Sequence, residues 1–250
     1  MKLYKESNEI IEASQYIDPL MIHLSQKIIF HLGEGRGRKL LDIGCGAGRT
    51  ALLVAKRGFK VEGVDVEERV IKLARRKAKK EKLDGQARFT CADIYKGLRF
   101  KKESFDVIIC SEVIEHVPSP KKVIREAKYL LKTQGILILT TPHSQRLWTI
   151  TDEYAEHRKR FETEEIKKML KSENFEIKNL YTVGFPLMVF LFIGYNFLVR
   201  FLKIKHSSSW RTKKRTASFF SFFVSSVLKF DDIFNSLKLG TNFIVVSQKV

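Results

Sequence analysis

The sequence predicts an α/β fold, a largely parallel sheet layered between helices, and three observations point to it. The apolar run Leu40-Leu41-Asp42-Ile43 enters a glycine-rich turn, Gly44-Cys45-Gly46-Ala47-Gly48, behind which a helix opens. The next apolar run, Val61 to Val64, ends in an acid, Asp65. Further apolar runs then alternate with helical segments, the pattern of repeated strand–helix–strand units. Glycines at alternate positions let the backbone approach a ligand that a Cβ would push away, and the helix N-terminus beyond them offers free N–H groups. An acid closing the second strand sits where a doubly wound nucleotide fold holds a ribose.

The elements follow in chain order. Glu9 to Leu32 reads as a helix, with Tyr16, Ile17, Leu20, Met21, Leu24 and Ile28 at helical spacing. After the first two strands, the basic run Lys72 to Lys82 falls on a helix and forms a solvated face. Ala87 to Ile94 reads as a third strand ending in Asp93, and Phe105 to Ser111 as a fourth. Leu130 to Pro142 combines a helix end, a turn and a fifth strand, with Gly135 expected to hold positive φ in the turn. Thr163 is placed to cap a helix whose apolar face is Ile166, Met169 and Leu170. A sixth strand takes in Asn179 to Gly184, and a seventh, led by Gly240, spans Asn242 to Ser247.

A chain of 250 residues, 44% hydrophobic, holds one main α/β domain with an insertion. Cys45, Cys91 and Cys110 show no metal or redox spacing and read as small buried hydrophobes in a reducing cytosol. The polar residues Met1 to Glu6 carry no secretory signal, and no internal repeat is apparent. The net charge of +18 is uneven: Ile177 to Phe230 holds nine cations and no acid, half of that excess. The same stretch is apolar, since Phe185 to Val199 and Phe219 to Leu228 are uncharged. It reads as two helices joined by a cationic, serine-rich link, His206 to Thr216, inserted between strands six and seven. An in-plane interfacial hairpin suits this composition better than a span, with Tyr195 and Trp210 near the interface.

The glycine loop reads D-x-G-x-G-x-G and not the G-x-G-x-x-G of dinucleotide folds. It resembles motif I of the class I S-adenosylmethionine-dependent methyltransferases, and the later motifs fall in that superfamily's order over residues 35–180 and the last ten. The resemblance implies a Rossmann-like seven-stranded sheet, parallel with one antiparallel C-terminal strand and flanked by helices, with S-adenosyl-L-methionine as cofactor. It implies cofactor contacts from Asp42, Gly44, Cys45, Gly46 and Gly48 in the loop, from Asp65 and Val66 after strand two, and from Asp93, Ile94 and Ser111. Asp42 would attract the cofactor's α-amino group, Asp93 would meet the adenine amino group, and Ile94 would flank the ring. The domain division expected is an N-terminal helical cap, 1–34; a cofactor-binding domain, 35–184 and 240–250; and a helical apolar and basic insertion, 185–239.

After strand four comes Ser111-Glu112-Val113-Ile114-Glu115-His116. Placed on a helical turn, Glu112 and Glu115 would share a face, with His116 beside them. This E-x-x-E-H pattern resembles two branches of the superfamily: the O-methyltransferases of ubiquinone biosynthesis, which bind magnesium, and the small-RNA 2′-O-methyltransferases, which use the same motif and a further histidine. The resemblance implies Glu112, Glu115 and His116 as ligands of Mg2+ or another divalent cation, with Glu115 and His116 also at the chemistry. His157, in the loop His157 to Ile166, is a candidate catalytic base or further ligand, and His143 stands at the mouth of strand five.

Together these readings predict O-methylation of a hydrophobic, membrane-associated small molecule, a prenylated phenol, quinol precursor or lipid-linked acceptor. The protein would be cytoplasmic and peripheral at the inner face of an anionic membrane. An RNA 2′-O-methyltransferase is the alternative, although consecutive apolar runs beside the charge suit lipid better than nucleic acid. A non-catalytic cofactor-binding scaffold is a third reading.

Overall fold

Seven strands form one sheet in the order β3-β2-β1-β4-β5-β7-β6. The structure is a computed structural model and describes residues 19–201 and 214–250, with the backbone alone at 199, 200 and 214–222. Its elements are α1 (Pro19–Leu32), β1 (Lys39–Ile43), α2 (Arg49–Ala55), β2 (Lys60–Asp65), α3 (Glu68–Lys80), β3 (Ala87–Cys91) and β4 (Phe105–Ser111). There follow α4 (Pro120–Leu130), β5 (Leu131–Pro142), α5 (Ile150–Tyr154), α6 (Thr163–Ser172), β6 (Phe175–Val183), α7 (Leu187–Phe201), α8 (Lys214–Asp231) and β7 (Asn242–Lys249). Strands β1 to β5 pair in parallel, and β7 lies antiparallel between β5 and β6. The expected mixed seven-stranded sheet is therefore observed.

Alternation along the strands divides the core between two faces. Leu41, Ile43, Ile108, Leu137 and Leu139 pack on one face against α4 and α6, through Val123, Ala127, Ile166 and Leu170. Leu40, Val61, Val107, Ile109 and Ile138 face the other way, onto Ile28 of α1, Ala51 and Val54 of α2, and Ile71 and Ala74 of α3. A smaller cluster, Leu20, Leu24, Val183, Val224, Leu228 and Ile244, fastens α1 and α8 to the β6–β7 end. Thus α1 packs on the sheet. The portion of its expected helix before Pro19, with Tyr16 and Ile17, lies outside the described residues, as do His206 and Trp210.

Several local expectations are corrected. Gly135 does not take positive φ; Gln134 does, at 63°, and Gly135 is needed because a Cβ there would lie 2.8 Å from the Lys132 carbonyl oxygen. Glu162, not Thr163, caps α6: its side chain and that of Glu165 form a reciprocal capping box. Cys91 is exposed at the end of β3, whereas Cys45 and Cys110 are buried. Strand β3 stops at Cys91, and Asp93 lies beyond it, accepting the Tyr95 N–H at 2.8 Å to cap a short 3-10 turn.

Two helices, α7 and α8, occupy the segment between β6 and β7. Buried Asp231, the first acid after the acid-free stretch, joins them by accepting the N–H groups of Leu187 at 2.9 Å and Met188 at 2.8 Å. Helix α7 exposes Phe190, Ile193, Phe197 and Phe201 at three- and four-residue spacing, an apolar stripe along one face. Among the described residues, no helix is long and apolar enough to cross a membrane.

Candidate active site

The parallel strands deliver their C-terminal ends to one edge of the sheet, where ligands bind in open α/β folds. At β1 the glycine turn is tight: Gly44, Gly46 and Gly48 all have positive φ, between 52° and 77°. A Cβ on Gly44 would lie 2.3 Å from Val113 Cγ2, whereas one on Gly46 would meet no atom within 4 Å. Gly44 therefore admits the neighbouring loop, and Gly46 borders open space. Asp65, from the end of β2, accepts the Gly46 N–H at 2.9 Å and the Glu67 N–H at 3.0 Å. Asp42 lies buried beneath the turn. Burial, then the Asp65 carboxylate, pushes its carboxyl up to about 7. Val66 is exposed and Ile94 buried at the same edge.

A second group gathers beyond β4. The chain leaves that strand through Glu112, whose φ of 55° is held by its N–H bond to the Thr140 carbonyl, 3.0 Å. Residues 112–116 form a turn rather than a helix, so Glu112 and Glu115 do not share a helical face. Glu112 accepts from Thr140 Oγ1 and from Asn242 Nδ2, both at 2.9 Å. Ser111 Oγ joins the same Thr140 hydroxyl at 2.8 Å. Glu115 is fully buried; its Oε2 accepts from Thr141 Oγ1 at 3.0 Å, and its Oε1 has no hydrogen-bond partner. Burial pushes both carboxyls up, and the mutual repulsion of the pair raises Glu115 further.

His116 Nε2 stands 4.0 Å from Glu115 Oε1, and its ring meets that of His157 edge to face at 4.8 Å. Burial, then His157, lowers His116 to about 4, so it is neutral near pH 7. His157 Nδ1 is 2.8 Å from Asp152 Oδ1, which also accepts from Arg160 Nε at 2.8 Å. Burial pushes the Asp152 carboxyl up, but the bonds from His157 and Arg160 outweigh it and hold it at about 2. The loop is pinned by Arg158 N–H on the Glu115 carbonyl, 2.8 Å, and by Arg160 Nη1 on the carbonyls of His143 and Thr241.

Glu115, His116 and His157 each offer a ligand atom, all within 4.8 Å of one another. Glu112, expected among the ligands, is not in this group, and His157 is; the Glu112 carboxylate is engaged by Thr140 and Asn242. His143 points away: its Nδ1 donates to the Gly240 carbonyl at 2.7 Å, and its ring packs on Phe243. Sequence reading missed Asp152, Arg160, Thr140, Thr141 and Asn242. The polar pair Thr140-Thr141, closing an otherwise apolar strand, was the one available signal. Helix α7 overlooks the site: Asn196 Oδ1 accepts the Ile150 N–H at 3.4 Å, and the Phe192 ring lies 5.9 Å from the Arg160 guanidinium.

A family model described as a methyltransferase domain matches residues 34–195. The chain belongs to this family, among the S-adenosylmethionine-dependent methyltransferases. It is similar to ubiquinone biosynthesis O-methyltransferases of two bacteria. With that of Actinobacillus pleuropneumoniae serotype 7 it is 37% identical over 107 residues, 42% of this chain and 46% of the relative. With that of Idiomarina loihiensis it is 36% identical over 122 residues, 48% of this chain and 49% of the relative. The matched region thus spans about half the length of these curated relatives. Among solved structures it resembles a geranyl diphosphate C-methyltransferase from Streptomyces coelicolor A3(2), with TM-score 0.65 and 15% identity over 92% of this chain and 81% of that one. It also resembles the YcgJ protein of Bacillus subtilis, with TM-score 0.62 and 16% identity over 91% and 98%. At these identities the structural likeness concerns the fold.

Proposed function

We propose that the protein transfers the methyl group of S-adenosylmethionine to a hydroxyl of a hydrophobic, membrane-associated small molecule. The observation that carries this reading is the juxtaposition of the two groups of residues. A glycine loop open at Gly46 and flanked by Asp42 and Asp65 fits the cofactor. The polar cluster of buried Glu115 with partly exposed His116 and His157 stands at the neighbouring strand end, where the methyl group would be presented. Relatives named for ubiquinone biosynthesis support an acceptor of the prenylated phenol class. The apolar stripe of α7, above Asn196 and Phe192, supports an acceptor that arrives from a lipid surface. The same stripe argues against an RNA acceptor, which would call for a solvated cationic groove.

Methyl transfer is an in-line displacement at an activated carbon, so the protein's task is to position the acceptor oxygen and remove its proton. Asp152 orients the His157 ring through Nδ1, beside the ring of His116. His116, kept neutral, presents an unprotonated nitrogen. Arg160 balances the charge of Asp152, and Glu112 is held against the strand ends by Thr140 and Asn242. The residues fit a divalent cation: Glu115 Oε1 is a buried oxygen without a partner, and two imidazoles stand beside it. Two nitrogens and one carboxylate suit a transition ion better than magnesium, which prefers oxygen. Such an ion would supply Lewis-acid lowering of the acceptor's pKa. Asp152 behind His157 then serves as the hydrogen-bonded support that metal-binding histidines commonly have.

The test is transfer of label from methyl-labelled cofactor to a prenylated catechol, with and without EDTA, alongside metal analysis of the purified protein. The expected result is label in the organic phase, abolished by EDTA and by Glu115→Gln, with bound metal lost in the variant. Label in nuclease-sensitive material from a host extract would instead favour RNA, and EDTA-resistant transfer would remove the cation.

A further inference from the structure

A groove of about 740 Å3 opens between the outer face of α1, the edge strand β6 and the 3-10 turn Asp232–Leu237. None of its lining residues belongs to the cofactor loop or to the Glu115 cluster. Three lysines, Lys27, Lys229 and Lys238, face it, and its one carboxylate is Asp232. That carboxylate is already engaged: Lys27 Nζ lies 2.6 Å from it, His23 Nε2 3.0 Å and Asn235 Nδ2 3.0 Å. Among the described residues no acid lies within ion-pair distance of Lys229 or Lys238. The groove therefore carries uncompensated positive charge around a preorganised polar floor.

Exposed apolar side chains accompany it. Phe30 lines the groove and is 80% exposed. Phe230, Ile233, Leu237 and Leu239 are also exposed and adjoin lining residues along the chain: Phe230 follows Lys229, Ile233 follows Asp232, and Lys238 stands between Leu237 and Leu239. A soluble anion would use the lysines and leave these side chains bare. A glycerophospholipid matches both, with a phosphate for the cations and acyl chains for the exposed side chains.

We propose that this groove binds the phosphate headgroup of an anionic membrane lipid. The proposal stands on the groove alone and does not depend on the transfer reaction, so it survives or fails independently of the acceptor. It gives the protein a specific headgroup seat, in contrast to diffuse attraction by its overall charge.

The experiment is co-sedimentation of the full chain with phosphatidylcholine vesicles, with and without phosphatidylglycerol. It compares the parent, Lys229→Gln/Lys238→Gln, Ser236→Glu, and a charge-matched control, Lys72→Gln/Lys79→Gln, on the exposed face of α3. Binding should require phosphatidylglycerol and weaken about 30-fold in the groove double variant, the loss expected for two cations near headgroups. Ser236→Glu, which keeps both lysines, should weaken it as well. The control should bind nearly as the parent does, and excess glycerol 3-phosphate should not displace the protein. Equal weakening in the control would reduce the effect to bulk charge and overturn the proposal. So would absence of vesicle binding by the parent, or tight binding of free glycerol 3-phosphate that the groove variants lose.

Discussion

Gly44 and Gly46 hold similar backbone angles in the cofactor loop, yet replacing each should have a different consequence. A methyl on Gly46 meets only open space, so Gly46→Ala should lower stability by about 1 kcal/mol of backbone strain while obstructing the cofactor. A methyl on Gly44 collides with Val113 and pushes on the turn that carries Glu115, so Gly44→Ala should lose more stability. Denaturant melts and calorimetric cofactor titrations of the two variants check this contrast. Asp42 gives a pH prediction. Its carboxyl rises from an ordinary 3.8 to about 7 in the fold. The folded chain thus retains a proton that the unfolded chain has released. The contribution of Asp42 to stability is greatest in acid and declines as pH climbs from about 4 to about 7. Asp42→Asn should flatten that decline, seen as denaturant midpoints at about pH 5 and about pH 8 that converge in the variant. Cofactor affinity in the parent should rise through about pH 7, as ionised Asp42 becomes available to an ammonium group.

At the scale of elements, the α7–α8 pair hangs on one side chain. Asp231 is buried and satisfies two N–H groups at the start of α7, so Asp231→Ala leaves both without their acceptor. A loss of about 1–2 kcal/mol is expected in urea unfolding, with Asp231→Asn losing less because one acceptor oxygen remains. Elements were also what the sequence disclosed best. Strands β1, β2, β4 and β7 stood out as apolar runs, whereas β6 begins at Phe175, four residues before the expected Asn179, because Glu176, Lys178 and Asn179 break its apolar pattern. The site was half legible. Glu115 and His116 stood in a recognisable pattern, and His157, 41 positions later, was a candidate further ligand; Asp152 and Arg160, which hold His157, were not foreseen. Asn242 reaches Glu112 from 130 positions away, a closeness that only the sheet order creates. The shared helical face expected of Glu112 and Glu115 is absent, because Glu112 takes a positive φ and residues 112–116 form a turn.

For the molecule as a whole, cofactor binding should register as stability. A ligand at a hundredfold excess over its dissociation constant adds about 2.7 kcal/mol to the folded state. For a chain of this size that corresponds to a rise of about 5–10 °C in melting temperature. Thermal melts with S-adenosylhomocysteine test this without an acceptor. The rise should be much smaller in Gly46→Ala, and an unchanged melting curve in the parent would contradict the cofactor assignment.

The position of β7 carries a consequence for how the chain assembles. Among the described residues strand β6 pairs with no strand but β7, and β7 follows the α7–α8 segment in sequence. During synthesis, β6 and both helices must therefore emerge before the strand that will hold them to β5 exists. The parallel portion, β1 to β5, can form first, leaving β5 as a temporary open edge. Insertion of β7 then closes that edge, recruits β6, and brings Asn242 to Glu112 in one event. Refolding monitored by hydrogen exchange should show the amides of β1 and β4 protected ahead of those of β6. The bonds from Asn242 to Glu112 and from Arg160 to the Thr241 carbonyl, which brace the surroundings of the polar cluster, would form only at the end of that sequence, so a partly folded chain could bind cofactor before it could react.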